Sequence, residues 1–270
     1  MDPLISAHDA LRRLDEAKTV FLDATWTFSA GPKPRAKGVI PGALHFDIDV
    51  VKDADSTLPH MLPRPNAFAT HAGAIGLSET TPLIVYDRMG LFAAPRVWWM
   101  FHAMGHENIQ VLDGGLPAWI AAGGLVVRKH AEPAAETTYQ AKFKPSRVVD
   151  KNAVLASLEK PTSQVFDMRS PSRFHALEPE PRSGMRSGHM PGATNLHYAR
   201  LIQDGHLKAD KDALTAAGVD FQKDQISSCG SGVTACILAL ALFRNGKEAA
   251  VYDGSWAEWG SQADTPVTSD

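Results

Sequence analysis

Short runs of aliphatic and β-branched residues alternate along this chain with stretches of helical spacing. In the first half, Val20-Phe21-Leu22-Asp23 and Pro82-Leu83-Ile84-Val85-Tyr86-Asp87 read as strands. In the second half the strand-like runs are SQVFD (163–167), QISSC (225–229) and EAAVYDG (248–254). Between them the pattern predicts a helix over 211–217 and another over 234–245, closed by Gly246 as a C-terminal signal. Ser6, ahead of an apolar-periodic run, reads as the N-cap of the first helix. Strands alternating with helices imply parallel pairing through right-handed crossovers, so the fold class is α/β.

The pattern also repeats. Val20-Phe21-Leu22-Asp23 returns as Gln164-Val165-Phe166-Asp167, and Ile40-Pro41-Gly42-Ala43 returns as Met190-Pro191-Gly192-Ala193. The strand ending at Asp87 matches the one ending at Cys229, and Val111-Leu112-Asp113-Gly114 matches Val251-Tyr252-Asp253-Gly254. A nearly constant offset with small drift means a duplicated domain with loop insertions. Residues 129–146, rich in Ala, Glu, Pro and Thr and poor in periodic apolar positions, have the composition of a linker. Two tandem domains are therefore expected, 1–140 and 147–270, each a small parallel sheet flanked by helices.

Composition narrows the function classes. With 270 residues, 44% apolar and 21% charged, the chain can bury a sizeable core. Its 27 basic and 30 acidic residues leave a net charge of −3, which gives no electrostatic footing for nucleic acid or an anionic membrane. The longest apolar run, 235–243, is far short of the roughly 20 residues that span a bilayer. The N-terminal segment lacks the charge and apolar layout of a signal peptide, so a cytoplasmic location is expected.

Chemistry points to a thiol. The two cysteines, Cys229 and Cys236, fit a reducing compartment and build neither a disulfide framework nor a metal site. Cys236 falls inside an apolar helix and reads as core. Cys229 stands where a buried strand ends, before Gly230-Ser231-Gly232-Val233-Thr234 and a helix. Two glycines in that turn let successive backbone N–H groups converge on the sulfur, and with the helix dipole they favour thiolate over thiol. The competing reading is a buried, inert cysteine. The remaining histidines, His102, His106, His175, His189 and His206 among them, show no metal-ligand spacing, and Trp98, Trp99, Trp119, Trp256 and Trp259 read as core.

Cys229-Gly230-Ser231-Gly232-Val233-Thr234-Ala235 resembles the active-site loop of the 3-mercaptopyruvate sulfurtransferases, tandem-domain members of the rhodanese superfamily. The duplication, the His189-to-Ala193 element and the Asp253-to-Trp259 segment extend that resemblance over nearly the whole chain. In that family the C-terminal domain alone carries the cysteine; here Asp87 takes the matching place in the first half. The resemblance implies a persulfide on Cys229, loaded from a donor and unloaded to thioredoxin, a low-molecular-weight thiol or cyanide, with no cofactor and no metal. The loop amides of residues 230–234 would hold the added negative charge.

The resemblance also implies a donor. Relatives that use thiosulfate carry an Arg-Lys pair after the cysteine, where this chain has Gly230 and Ser231. Mercaptopyruvate needs cations farther out, and Arg173 and Arg182 match the arginines that bind its carboxylate, although either could pair with Glu178 or Glu180 on a solvated loop. A Ser-His-Asp relay maps onto Ser231, His60 and Asp49, with Asp47 competing with Asp49 for His60. Thiosulfate transfer and a persulfide carrier without turnover remain as alternatives. A phosphatase of similar fold is disfavoured, because Ala235 stands where that class places its arginine.

Overall fold

The computed structural model describes residues 1–14, 16, 18–28, 31–159 and 163–269. Their contacts divide the chain into two units. Unit 1 comprises Met1–Ala54, Leu62–Lys144 and Gln203–Leu207; unit 2 comprises Asp55–Met61, Pro145–Ile202 and the chain from Lys208 on.

In unit 1 the elements run β1 (Leu4–Ile5), α1 (Ala7–Leu14), β2 (Val20–Asp23), β3 (Leu44–His45), α2 (Pro65–Ala74), β4 (Leu83–Tyr86), α3 (Ala94–Ala103), β5 (Ile109–Leu112) and α4 (Gly115–Ala121). Ser6 caps α1 as its position predicts, its Oγ accepting from the Asp9 N–H at 3.1 Å. The sheet order is β1-β5-β4-β2-β3, with every pair parallel. Because helices cover a parallel sheet on both faces, its central strand can be apolar at every position, and Leu83-Ile84-Val85-Tyr86 is buried throughout. One face packs Phe21, Ile84 and Leu112 against Leu116 and Trp119 of α4.

Unit 2 repeats this plan with β6 (Val148–Val149), α5 (Lys151–Glu159), β7 (Ser163–Asp167), α6 (Pro171–Phe174), β8 (Thr194–Asn195), β9 (Ile202–Gln203), β10 (His206–Leu207), α7 (Lys211–Ala216), β11 (Asp224–Ser228), α8 (Ala235–Arg244), β12 (Ala250–Tyr252) and α9 (Ser255–Trp259). Its sheet order, β6-β12-β11-β7-β8, is that of unit 1 strand for strand, again all parallel. Among the described residues the ribbon β9-β10 has no counterpart in the first half, and its residues 203–207 cluster with unit 1. Val165, Ile226 and Tyr252 pack against Trp256 and Trp259 of α9. Among the described residues no helix is long and apolar enough to cross a membrane.

The 129–146 segment, expected to be the linker, is ordered along its length. It carries no helix or strand before residue 145, yet it is fastened along unit 1. The Thr137 N–H donates to the Gly73 carbonyl and those of Lys142 and Lys144 to Met104 and Ala103, and Tyr139 is buried against Phe68. Low apolar periodicity reflects a segment held by backbone hydrogen bonds rather than by a packed face.

His130 of this segment also hydrogen-bonds the buried Asp23 carboxylate at 3.0 Å, alongside Thr25 and the Arg88 guanidinium at 2.9 Å. Burial works against the charge on Asp23, but Thr25, His130 and Arg88 outweigh it and hold the carboxyl below its usual 3.8. A depressed carboxyl stabilises the fold above its unfolded value and loses that contribution as pH falls through the folded one. Asp23→Asn is expected to cost about 2 kcal/mol at neutral pH. The gap between wild type and variant should close below about pH 4, which urea unfolding at several pH values measures.

Candidate active site

The site forms where β11 stops. Ser228 is the last ladder residue, Cys229 follows, and the chain turns through 230–234 before α8 begins at Ala235. Gly232 takes φ 75°, a left-handed conformation that an L side chain resists. The first turn of α9 then fixes the turn from outside: the Trp256 and Ala257 N–H groups donate to the carbonyls of Cys229 and Gly230 at 3.0 and 2.9 Å. Ser255, itself at φ 50°, accepts from the Cys229 N–H at 3.2 Å and donates to the Tyr252 carbonyl. With those carbonyls bound on the α9 side, the amides of Gly230, Ser231, Val233, Thr234 and Ala235 donate to no acceptor among the described residues. Cys229 is 2% exposed in this turn, whereas Cys236 lies inside α8 with its thiol donating to the Gly232 carbonyl.

Both arginines reach the loop. An Nη of Arg182 donates to Ser231 Oγ at 3.4 Å. The Arg173 guanidinium lies beside Gly230, so close that a Cβ there would meet Nη2 at 3.1 Å. Of the two solvated pairings weighed from sequence, only the one with Glu180 forms for Arg173, and it is not solvated: the Glu180 side chain is 1% exposed. Glu180 also accepts from Arg169 Nη1 at 2.7 Å, and Arg169 chelates Asp167 while its guanidinium covers the Trp256 ring at 4.1 Å. Glu178 instead accepts from Ser170 Oγ.

His60 lies in the 55–61 segment, which belongs to unit 2, and is 3% exposed with φ 60°. Asp49 belongs to unit 1, where its carboxylate accepts from Trp26 Nε1 at 2.8 Å and its N–H donates to Asp47 at 2.8 Å. Among the described residues no group of three His, Cys, Asp or Glu side chains is placed to hold a metal ion.

The corresponding turn of unit 1 is filled by its own side chain. Asp87, fully buried, accepts from the Met89 N–H through Oδ1 and from the Phe92, Ala93 and Ala94 N–H groups through Oδ2, at 2.7 to 2.9 Å. Burial pushes this carboxyl up, against the pull of the four amides. The turn of unit 1 is thus a nest of amide donors closed on a carboxyl group. Sequence reasoning did not single out Ser255, Arg169 or Glu180. The Asp-Gly-Ser-Trp repeat around 253–256 was a signal for the first; the ion chain depends on tertiary approach.

A model of the rhodanese-like domain matches residues 6–122 and again 150–262. The chain is 43% identical over 234 residues to the 3-mercaptopyruvate sulfurtransferase of Escherichia coli, covering 85% of this chain and 83% of that protein. It is 38% identical over 297 residues to the mitochondrial thiosulfate/3-mercaptopyruvate sulfurtransferase 1 of Arabidopsis thaliana, covering 99% and 78%. The crystal structure of SseA from Escherichia coli, described as a 3-mercaptopyruvate sulfotransferase with the rhodanese fold, superposes with a TM-score of 0.84 at 36% identity over 95% of this chain and 99% of that one.

Proposed function

The chain belongs to the rhodanese family, and from that premise we propose that it is a 3-mercaptopyruvate sulfurtransferase working through Cys229. The Cys229 thiolate attacks the donor sulfur; the carbon–sulfur bond breaks, and its electron pair passes to the enolate of pyruvate, which takes up a proton. The enzyme keeps a persulfide. An acceptor thiolate or cyanide then attacks the outer sulfur and restores the Cys229 thiolate. Thioredoxin or a low-molecular-weight thiol suits this second step, and a reducing compartment such as the cytoplasm suits a site built on a free thiol.

The observation that carries the reading is the pair of turns. A persulfide's outer sulfur lies two bonds beyond Cβ, as Oδ2 of Asp87 does. The helices that follow begin at Ala94 and Ala235, which sets Phe92, Ala93 and Ala94 against Val233, Thr234 and Ala235, so the turn of unit 2 is suited to receive an anion at that distance from its backbone. The loop 230–234 keeps this role, and the amide of Ala235 is added to it. Arg173 and Arg182 are assigned to the donor carboxylate and Ser231, polarised by His60, to its keto oxygen. The left-handed backbone of His60 supports a functional role, since such strain persists where the surroundings impose it.

Thiosulfate is the second reading, favoured by the name of the Arabidopsis relative. Gly230 and Ser231 give its compact dianion no cation next to the sulfur. We expect kcat/KM for 3-mercaptopyruvate to exceed that for thiosulfate by about tenfold or more, the worth of one lost charge-assisted contact. Side-by-side assays of both donors with cyanide as acceptor decide it. Equal or reversed preference overturns the donor, and a single burst of pyruvate without turnover would make the protein a carrier.

A further inference from the structure

The ion chain behind the loop has a direction. Arg169 is immobilised by Asp167 at 2.9 and 3.0 Å and by the Gly188 carbonyl at 2.8 Å, with its side chain 0% exposed. It holds Glu180 Oε1 at 2.7 Å, and Glu180 in turn takes Arg173 by two bonds, Nε to Oε1 at 3.2 Å and Nη2 to Oε2 at 2.5 Å. This leaves the Nη1–Nη2 edge of Arg173, the edge spaced to grip a carboxylate bidentately, on the side of Gly230: the position of a Cβ there is 3.1 Å from Nη2 and 3.6 Å from Nη1. Nη1 donates to no acceptor among the described residues.

We propose that Glu180 is the positioning residue of the donor site, fixing the Arg173 guanidinium beside the Cys229 loop so that its outer edge receives the carboxylate of a short α-keto acid. This deepens the mercaptopyruvate reading and rests on it. An arginine side chain that is 20% exposed has solvent to swing into, and Arg182 at the same loop repels a second cation, so holding Arg173 there takes an attraction. Glu180 supplies that attraction from behind. It is itself kept from rotating toward the ligand by Arg169, so it anchors Arg173 without competing for its outer edge.

The test is a cycle on the full-length protein. Glu180→Gln is expected to raise KM for 3-mercaptopyruvate about tenfold, the cost of re-ordering one long side chain, with kcat within about twofold. Glu180→Asp, which keeps the charge but withdraws it by one methylene, should raise KM in the same direction and serves alone if the Gln variant does not fold. In an Arg173→Ala background either substitution should leave KM where Arg173→Ala puts it, because Glu180 acts through Arg173. Additive effects, an unchanged KM, or a lower KM in Glu180→Gln overturn the proposal, the last by showing the carboxylate to be a competitor for Arg173. Pyruvate titrated by calorimetry reads the same contact without turnover, with about tenfold weaker binding expected in either Glu180 variant. If wild type binds pyruvate but releases none from 3-mercaptopyruvate, the assigned reaction fails. If wild type turns over and the Glu180 variants match it, the positioning role fails.

Discussion

Cys229→Ser should lower pyruvate release from 3-mercaptopyruvate by at least about a thousandfold, while Cys236→Ser should leave kcat within about twofold. The two thiols differ in what surrounds them, not in burial, since both are almost wholly covered. Cys229 opens a turn in which the amides of Gly230, Ser231, Val233, Thr234 and Ala235 donate to no acceptor among the described residues and the carbonyls of Cys229 and Gly230 are held away by Trp256 and Ala257. Negative charge on its sulfur, or on a sulfur one bond farther out, meets donors rather than hydrocarbon. Cys236 is the second residue of α8, between Ala235 and Ile237, with its thiol already donating to Gly232. A serine hydroxyl at 229 would keep the shape of the turn but is a far poorer nucleophile toward sulfur than a thiolate. Mass spectrometry of protein mixed with the donor and no acceptor should find one added sulfur atom on the peptide holding Cys229. Sulfur on the Cys236 peptide, or turnover in Cys229→Ser, would sink the assignment.

What could be read before any coordinates were those features carried by contiguous residues. The Ser6 cap, β7, β11 and α8 depend on a few neighbours in sequence, and the duplication doubled each clue, since β2 and β7 had to agree. The two-residue strands β3 and β8 were not legible, because Leu44–His45 and Thr194–Asn195 are strands only by pairing with β2 and β7. The β9-β10 ribbon escaped for the same reason. At the site, the turn itself was readable from a strand end, two glycines and a helix start. Glu180 was weighed only as a partner on a solvated loop, because a Pro-Glu-Pro-Arg segment has the look of surface. Nothing in its spacing discloses that Arg169, 11 residues before Glu180, folds back over Trp256 and draws the carboxylate inward. Long-range ion pairs are set by tertiary approach, and so they are the part of a site that pattern reading recovers last.

Arg169→Ala should be the most damaging substitution outside the turn, costing unit 2 about 3–5 kcal/mol. In the native chain, two guanidiniums face two carboxylates, and the side chains of Asp167, Arg169 and Glu180 are exposed by only 2%, 0% and 1%. Removing Arg169 leaves Arg173 alone to answer both Asp167 and Glu180, with Asp167 beyond its described contacts, so a carboxylate is stranded out of water. The Gly188 carbonyl loses its donor and the Trp256 ring its cation at the same time. The native guanidinium is held charged despite burial, which alone would lower its affinity for the proton, because Asp167 and Glu180 more than compensate. An exposed pair makes the control: Arg13 and Glu16 lie at 2.9 Å with side chains 47% and 52% exposed, and Arg13→Ala should cost no more than about 0.5 kcal/mol. Urea unfolding followed by tryptophan fluorescence compares the two. Arg169→Ala should also raise KM for 3-mercaptopyruvate well below its unfolding midpoint, since Glu180 is released along with its partner. An Arg169→Ala protein as stable and as active as Arg13→Ala would mean that the ion chain neither holds the fold nor orients Arg173.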